Sequence, residues 1–172
     1  MSDNNLIQLE KVGQIVSNIG NKLLENNNLL KLIYYNESDA LNKPNLTIHQ
    51  IRDMIGKGSE PITQQKIYKY PFTNKISDIV KSELRFFVPN INPNNIYISD
   101  FYIHFQIVVH NSIIEIEDNK IRYWNIVSEI LKSLNGFDCG GIGLLYLKSN
   151  ITMQSWSDYY SGYCFNMYTR TV

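Results

Sequence analysis

The sequence predicts an α+β fold: a mostly antiparallel sheet of about four strands packed against helices, with a helical N-terminal segment. Three observations predict it. Leu6, Leu9, Val12, Val16, Ile19 and Leu23 recur three or four residues apart, and "RYWNIVSEILKSLNG" at 122–136 repeats that period. In "SELRFFVP" and "DFYIHFQIVVHN" the period falls to two. The order is helices, strand, strand, helix, strand, strand, which suits an antiparallel sheet covered on one face by helices.

In chain order, Asp3 or Asn4 caps the first helix and "ENNN" at 25–28 interrupts it, before a short continuation "LLKLIYY". Thr47 and Gln50 in "TIHQIRDMIG" form a capping box for a brief helix that Gly56 stops. Residues 56–76 carry Gly56, Gly58, Pro61 and Pro71, with Tyr68, Tyr70 and Phe72 among lysines. They read as a projecting arm, because so long a connection without periodicity is usually functional. "SELRFFVP" is a strand that Pro89 and Pro93 break, and a long strand runs from Ile96 to His110. Its odd positions are almost wholly apolar and its even positions from 100 to 110 mostly polar, so one side is wet. "IEIEDNK" turns the chain into the second strong helix, whose buried stripe is Trp124, Val127, Ile130 or Leu131, and Leu134. "GGIGLLYLKS" and "YYSGYCFNMYTR" give two more strands. The chain reads as one domain, 1–172, made of a helical segment over residues 1–55, the arm 56–76 and a β-β-α-β-β core 77–172.

The totals exclude several classes. With 16 basic and 16 acidic residues the net charge is zero, poor for a dedicated nucleic-acid binder. The distribution is uneven, with six basic residues against three acidic ones in 57–85. Two cysteines, Cys139 and Cys164, lack the spacing of a staple or a zinc knuckle and read as free thiols in a reducing compartment. The start "MSDNNLIQLE" is no signal peptide, and no apolar run is long enough to span a bilayer.

Motifs for chemistry are weak. His104 and His110 share the wet side of one strand but lie about 20 Å apart at strand rise, too far for one metal ion. The glycines of "CGGIG", 139–143, run from a helix into a strand, the wrong polarity for a phosphate loop. Glu115, Glu117 and Asp118 lack the spacing of a calcium loop and read as a solvated turn. No G-x-S-x-G elbow is present, and neither cysteine opens an electropositive helix. The expectation is a protein that is not an enzyme, with no cofactor and no metal.

"LLKLIYYNESDALNKPNLT", "SELRFFVPNINPNN", "FQIVVHN", "VSEILKSLNGFDCGGIG" and "SGYCFNMYTR" together resemble neck proteins of tailed bacteriophages, closest to the tail terminator or tail-to-head joining group. The resemblance covers about residues 29–46 and 78–172 and rests on hydrophobic pattern and short phrases; the first helix and the arm fall outside it. It implies a structural virion protein of the neck, made in the bacterial cytoplasm. The subunit closes into a ring, commonly of six and in related neck positions of twelve, between the portal or connector and the tail tube or hub. DNA passes through the lumen without sequence-specific binding, and no membrane is involved. Subunit contacts are then expected from Lys66, Tyr68, Lys69, Tyr70 and Phe72 on the arm and from Tyr102, His104 and Gln106 on the wet strand face. Tyr160, Tyr168 and Arg170 of the aromatic tail complete the set, since interfaces favour such residues. The competing readings are another connector ring, a small monomeric β-rich module that recognises sugar through its tyrosines, and a hydrolase using His104 or His110.

Overall fold

A computed structural model describes residues 3–56, 64–71, 79–93, 99–140 and 143–170. Strict alternation makes the centre of the sheet. β2 (Ser82–Pro93) and β3 (Ser99–His110) run antiparallel, and β3 pairs antiparallel along its length with β8 (Tyr160–Arg170). Phe101, Ile103, Phe105, Ile107 and Val109, the odd positions of β3, are all fully buried. Phe86, Phe105 and Phe165 face one another across three strands, with ring centroids 5.9 Å and 5.0 Å apart. Such cross-strand aromatic rows hold register as well as burying area.

The sheet has more strands than the pattern predicts. β1 (Ile67–Tyr68) joins β2 in parallel, while β6 (Tyr146–Leu147) and β7 (Thr152–Ser157) share the far side of β8. β4 (Glu115–Ile116) and β5 (Lys120–Ile121) form a separate small hairpin. Its turn places Asp118 and Asn119 at positive φ, which Asp and Asn tolerate better than most residues. The fold class is α+β as expected. Pro89 does not end β2: the register shifts between Phe87 and Asn90, so the proline sits in a bulge and pairing resumes to Pro93. Residues 96–98 of the predicted strand lie outside the described residues.

Helices α1 (Asp3–Leu24), α2 (Asn27–Tyr34), α3 (Ile48–Met54) and α4 (Arg122–Leu134) form where predicted. Of the α1 stripe, Ile19 and Leu23 are buried and Val12 and Val16 partly so, while the side chains of Leu6 and Leu9 lie outside the described residues. Ile15, Ile19 and Leu23 of α1 pack in the same buried cluster as Ile126, Ile130 and Leu134 of α4 and the apolar side of the sheet. The break after α1 is made by Asn26. Its side-chain oxygen accepts from Leu29 N at 3.0 Å and caps α2, while its amide donates to Ser133 Oγ at 2.9 Å on α4. α3 carries the predicted capping box between Thr47 and Gln50. Trp124 departs from expectation: it is 44% exposed and rests on Tyr163, centroids 4.4 Å apart, while Arg122 goes inside. Among the described residues no helix is long and apolar enough to cross a membrane.

The arm is corrected where it is described, at 64–71. Lys66, Ile67 and Tyr68 are buried, because β1 lines the edge of β2 and Lys66 N donates to Met54 O at 2.8 Å. Residues 57–63 and 72–78, including Phe72, lie outside the described residues.

Burial of Lys66 follows from the end of α2. Helix C-termini leave carbonyls without intrahelical partners and carry negative partial charge. Lys66 Nζ donates to Tyr34 O at 2.6 Å. The fully buried Arg122 donates to Leu32 O, Tyr35 O, Asn36 O and Glu37 O over 2.6–3.0 Å, and to Ile113 O at 2.7 Å. Burial, with Lys81 and Arg122 nearby, lowers the Lys66 ammonium to about 8. Between about 8 and its unfolded value the unfolded chain binds more protons, so this group makes stability rise with pH across that window. Below it the burial cost is fully present. Lys66→Met should therefore be more stable than wild type at pH 7 by ~1–2 kcal/mol, after losing the Tyr34 bond. Urea titrations from pH 7 to 10 should show the gap closing as pH rises.

Candidate functional site: the open face of the sheet

One face of the sheet meets the helices; the other carries the even positions of β3. Register aligns its side chains in cross-strand rows. Tyr146, Tyr168, Tyr102 and Asn90 form one row, and Asn166, His104 and Phe87 the next. Thr152, Cys164, Gln106, Arg85 and Tyr68 form a third.

The first two rows border a hollow of about 530 Å³, with Phe87, Asn90, Tyr102 and Gln106 among its lining. A second hollow of about 330 Å³ lies beside it, lined by Ser149, Asn150, Thr152 and Cys164. His104 and Asn166 border both. Their side chains are joined, His104 Nδ1 to Asn166 Oδ1 at 2.8 Å. With the amide so oriented, Oδ1 only accepts, so Nδ1 carries the proton. The His104 ring also packs edge-on against Phe87 at 5.4 Å.

The end of the face is fixed by Asp100. Its carboxylate accepts from Tyr168 Oη at 2.8 Å and from Arg170 Nε at 2.6 Å. Burial, then the Asp100 hydrogen bond, raises the Tyr168 phenol, and Asp100 raises the Arg170 guanidinium. Lys148 Nζ lies 5.4 Å from the Tyr168 ring centre, and Tyr102 tilts against Tyr168 at 5.5 Å.

At the opposite end the face is closed. Glu83, at most 5% exposed, receives Lys81 Nζ at 2.6 Å and Arg85 Nη2 at 2.5 Å. Alternate residues of one strand share a face, so β2 and the residue just before it build this three-charge cluster. Tyr160 is buried there, its hydroxyl donating to Ile79 O and its ring edge-on to His110. The thiols of Cys139 and Cys164 are pushed up to about 11 by burial, so both are protonated at neutral pH.

Five of the residues expected at contacts, Tyr102, His104, Gln106, Tyr168 and Arg170, come together on this face. Lys66, Tyr68 and Tyr160 are buried instead, so none of the three offers its side chain to a partner in this conformation. Lys69 leans on Gly20 of α1 and Tyr70 packs against Tyr68, both away from the hollows. Asn166 and Phe87 complete the site; only register with β3 reveals them.

A second surface lies along the sheet edge. In "TMQSWS" β7 has neither proline nor charge, its residues 152–155 are exposed, and Met153 is 59% exposed. Met153 pairs with Tyr163, on which Tyr123 and Trp124 pack, so one end of the edge is apolar and aromatic. Leu144, Tyr146 and Leu147, in and beside β6, are also exposed.

Compared with known families, residues 26–170 match the model of one family, YomW. No curated protein and no solved structure matches the chain.

Proposed function

We propose that this chain, which belongs to the phage-related YomW family, is a structural virion protein that forms a ring in the phage neck. There it terminates the tail tube or joins the tail to the head connector. Its neighbours are copies of itself, the portal or connector above and the tail tube or hub below, with DNA passing through the lumen.

The observation that carries this reading is the edge at β7, which among the described residues pairs only with β8. Sheet edges are normally blunted by lysine, proline or a covering element, because a free row of backbone donors and acceptors recruits another strand. β7 has neither lysine nor proline in its own sequence. Contacts that join one surface of a subunit to a different surface of the next generate a ring when the rotation closes. The phage family and the resemblance of residues 78–172 to tail terminators point the same way.

The test places charge on the edge. Met153→Lys with Ser155→Lys should leave the thermal midpoint unchanged, since both side chains are exposed. Light scattering and negative-stain images should show closed rings for wild type and monomers for the variant. The images also separate a ring of six from a connector ring of twelve. A wild type that stays monomeric alone and on added tail tubes overturns the reading.

A further inference from the structure

We propose that the paired hollows on the open sheet face bind a neutral oligosaccharide, two consecutive sugar rings seated on either side of the His104–Asn166 pair. The second hollow reaches β7 through Thr152, but neither hollow is lined by Met153 or Ser155, where charge tests ring closure.

Three observations carry it. First, among the described residues no Lys, Arg, Asp or Glu side chain lines either hollow, although charged residues stand at both ends of the face. A phosphate or a carboxylate would find no counter-charge in the lining; a neutral ligand has none to satisfy. Second, Phe87 and Tyr102 border the first hollow, both half-buried. Aromatic rings with electron-rich faces hold the C–H side of a pyranose, while its hydroxyls point away. Third, several polar groups of the lining are unengaged among the described residues. The side-chain amides of Gln106 and Asn150, Nδ2 of Asn166 and Nε2 of His104 have no hydrogen-bond partner among the described residues. The amides of Gln106 and Asn150 offer donors and acceptors on both sides of one wall. A pair of neighbouring sugar hydroxyls, each both donor and acceptor, matches that set. Both volumes, about 530 and 330 Å³, fall in the range of small-molecule sites. Single-stranded nucleic acid would also stack on the rings, but its phosphates need the cations that the lining lacks.

The experiment uses the full chain. Cellotetraose, maltotetraose and chitotetraose are titrated by calorimetry and by saturation-transfer NMR, with a thymidine tetranucleotide alongside. At least one sugar should bind saturably, and more tightly than the tetranucleotide. Tyr102→Ala and Asn166→Ala should each weaken it by at least about tenfold, with melting curves confirming that both variants are folded. Tyr102→Phe should retain most of the affinity, because the ring and not the hydroxyl makes the contact. Met153→Lys should bind like wild type. The proposal is overturned by no saturable binding of any of the three sugars, by binding that survives both alanine variants, or by tighter binding of the nucleotide.

Discussion

Arg122→Met should cost more than ~4 kcal/mol, leaving a chain that is unfolded or close to it at 25 °C. The guanidinium is fully buried and donates to five main-chain carbonyls, four of them between Leu32 and Glu37 where α2 ends. Methionine fills much of the volume and supplies no donor. Each buried carbonyl left without a partner costs ~1–3 kcal/mol. The bonds to Leu32 O and Ile113 O are buried and the other three part-buried, so their sum is a large share of a domain's stability. Burial lowers the guanidinium only to about 10, so at neutral pH the charge is present and the carbonyl dipoles stabilise it. Arg122→Lys keeps the charge but has three donors on one atom, which cannot span the five acceptors. It should lose ~2–4 kcal/mol. Urea titration followed by circular dichroism ranks wild type, lysine and methionine. A methionine variant within ~1 kcal/mol of wild type would show that water satisfies these carbonyls.

Glu83→Ala should lose ~3–5 kcal/mol, the range for breaking a buried ion pair from one side. The carboxylate bonds both Lys81 and Arg85, and all three residues are at most 5% exposed. Alanine leaves two cations with their desolvation cost and without the carboxylate that offsets it. The triple variant Lys81→Met, Glu83→Leu, Arg85→Met should recover most of that loss, since apolar residues of similar volume replace such clusters at little cost. Comparing the single and triple variants by denaturant titration separates charge burial from packing. If the triple variant is as unstable as Glu83→Ala, packing or another contact of Arg85 dominates.

How far these features are legible in the sequence depends on the range of the interaction behind them. Local periodicity gives α1, α4, β3 and β8, and the Thr47–Gln50 box gives α3. Parity gives the open face, with Tyr102, His104 and Gln106 on one side of β3. Register is not local, so parity on separate strands cannot show that Asn166 meets His104 or that Phe87 stands beside it. Residues 64–71 read as an arm because two-residue β1 is too short to show a period, and its partner lies 17 positions further on. Pro89 reads as a strand end because a bulge and a break leave the same mark. Trp124 reads as core because it falls on the apolar stripe of α4. The buried residues of α4 are instead Arg122, Ile126, Val127, Ile130 and Leu134, and Arg122 is a basic residue at the positive end of an uncapped helix. That misplaced charge is the one local sign of its role.

The same arginine fixes when the N-terminal third can finish folding. The carbonyls at the end of α2 wait for a donor 85–90 positions downstream. Contacts that distant are slow to form, and a chain made from its N-terminus folds as it emerges. Until residue 122 has left the ribosome, α2 has a frayed last turn, and the groups that bind Arg122 are open to water and to proteases. Synthesis that pauses before that point leaves those four carbonyls without their arginine donor.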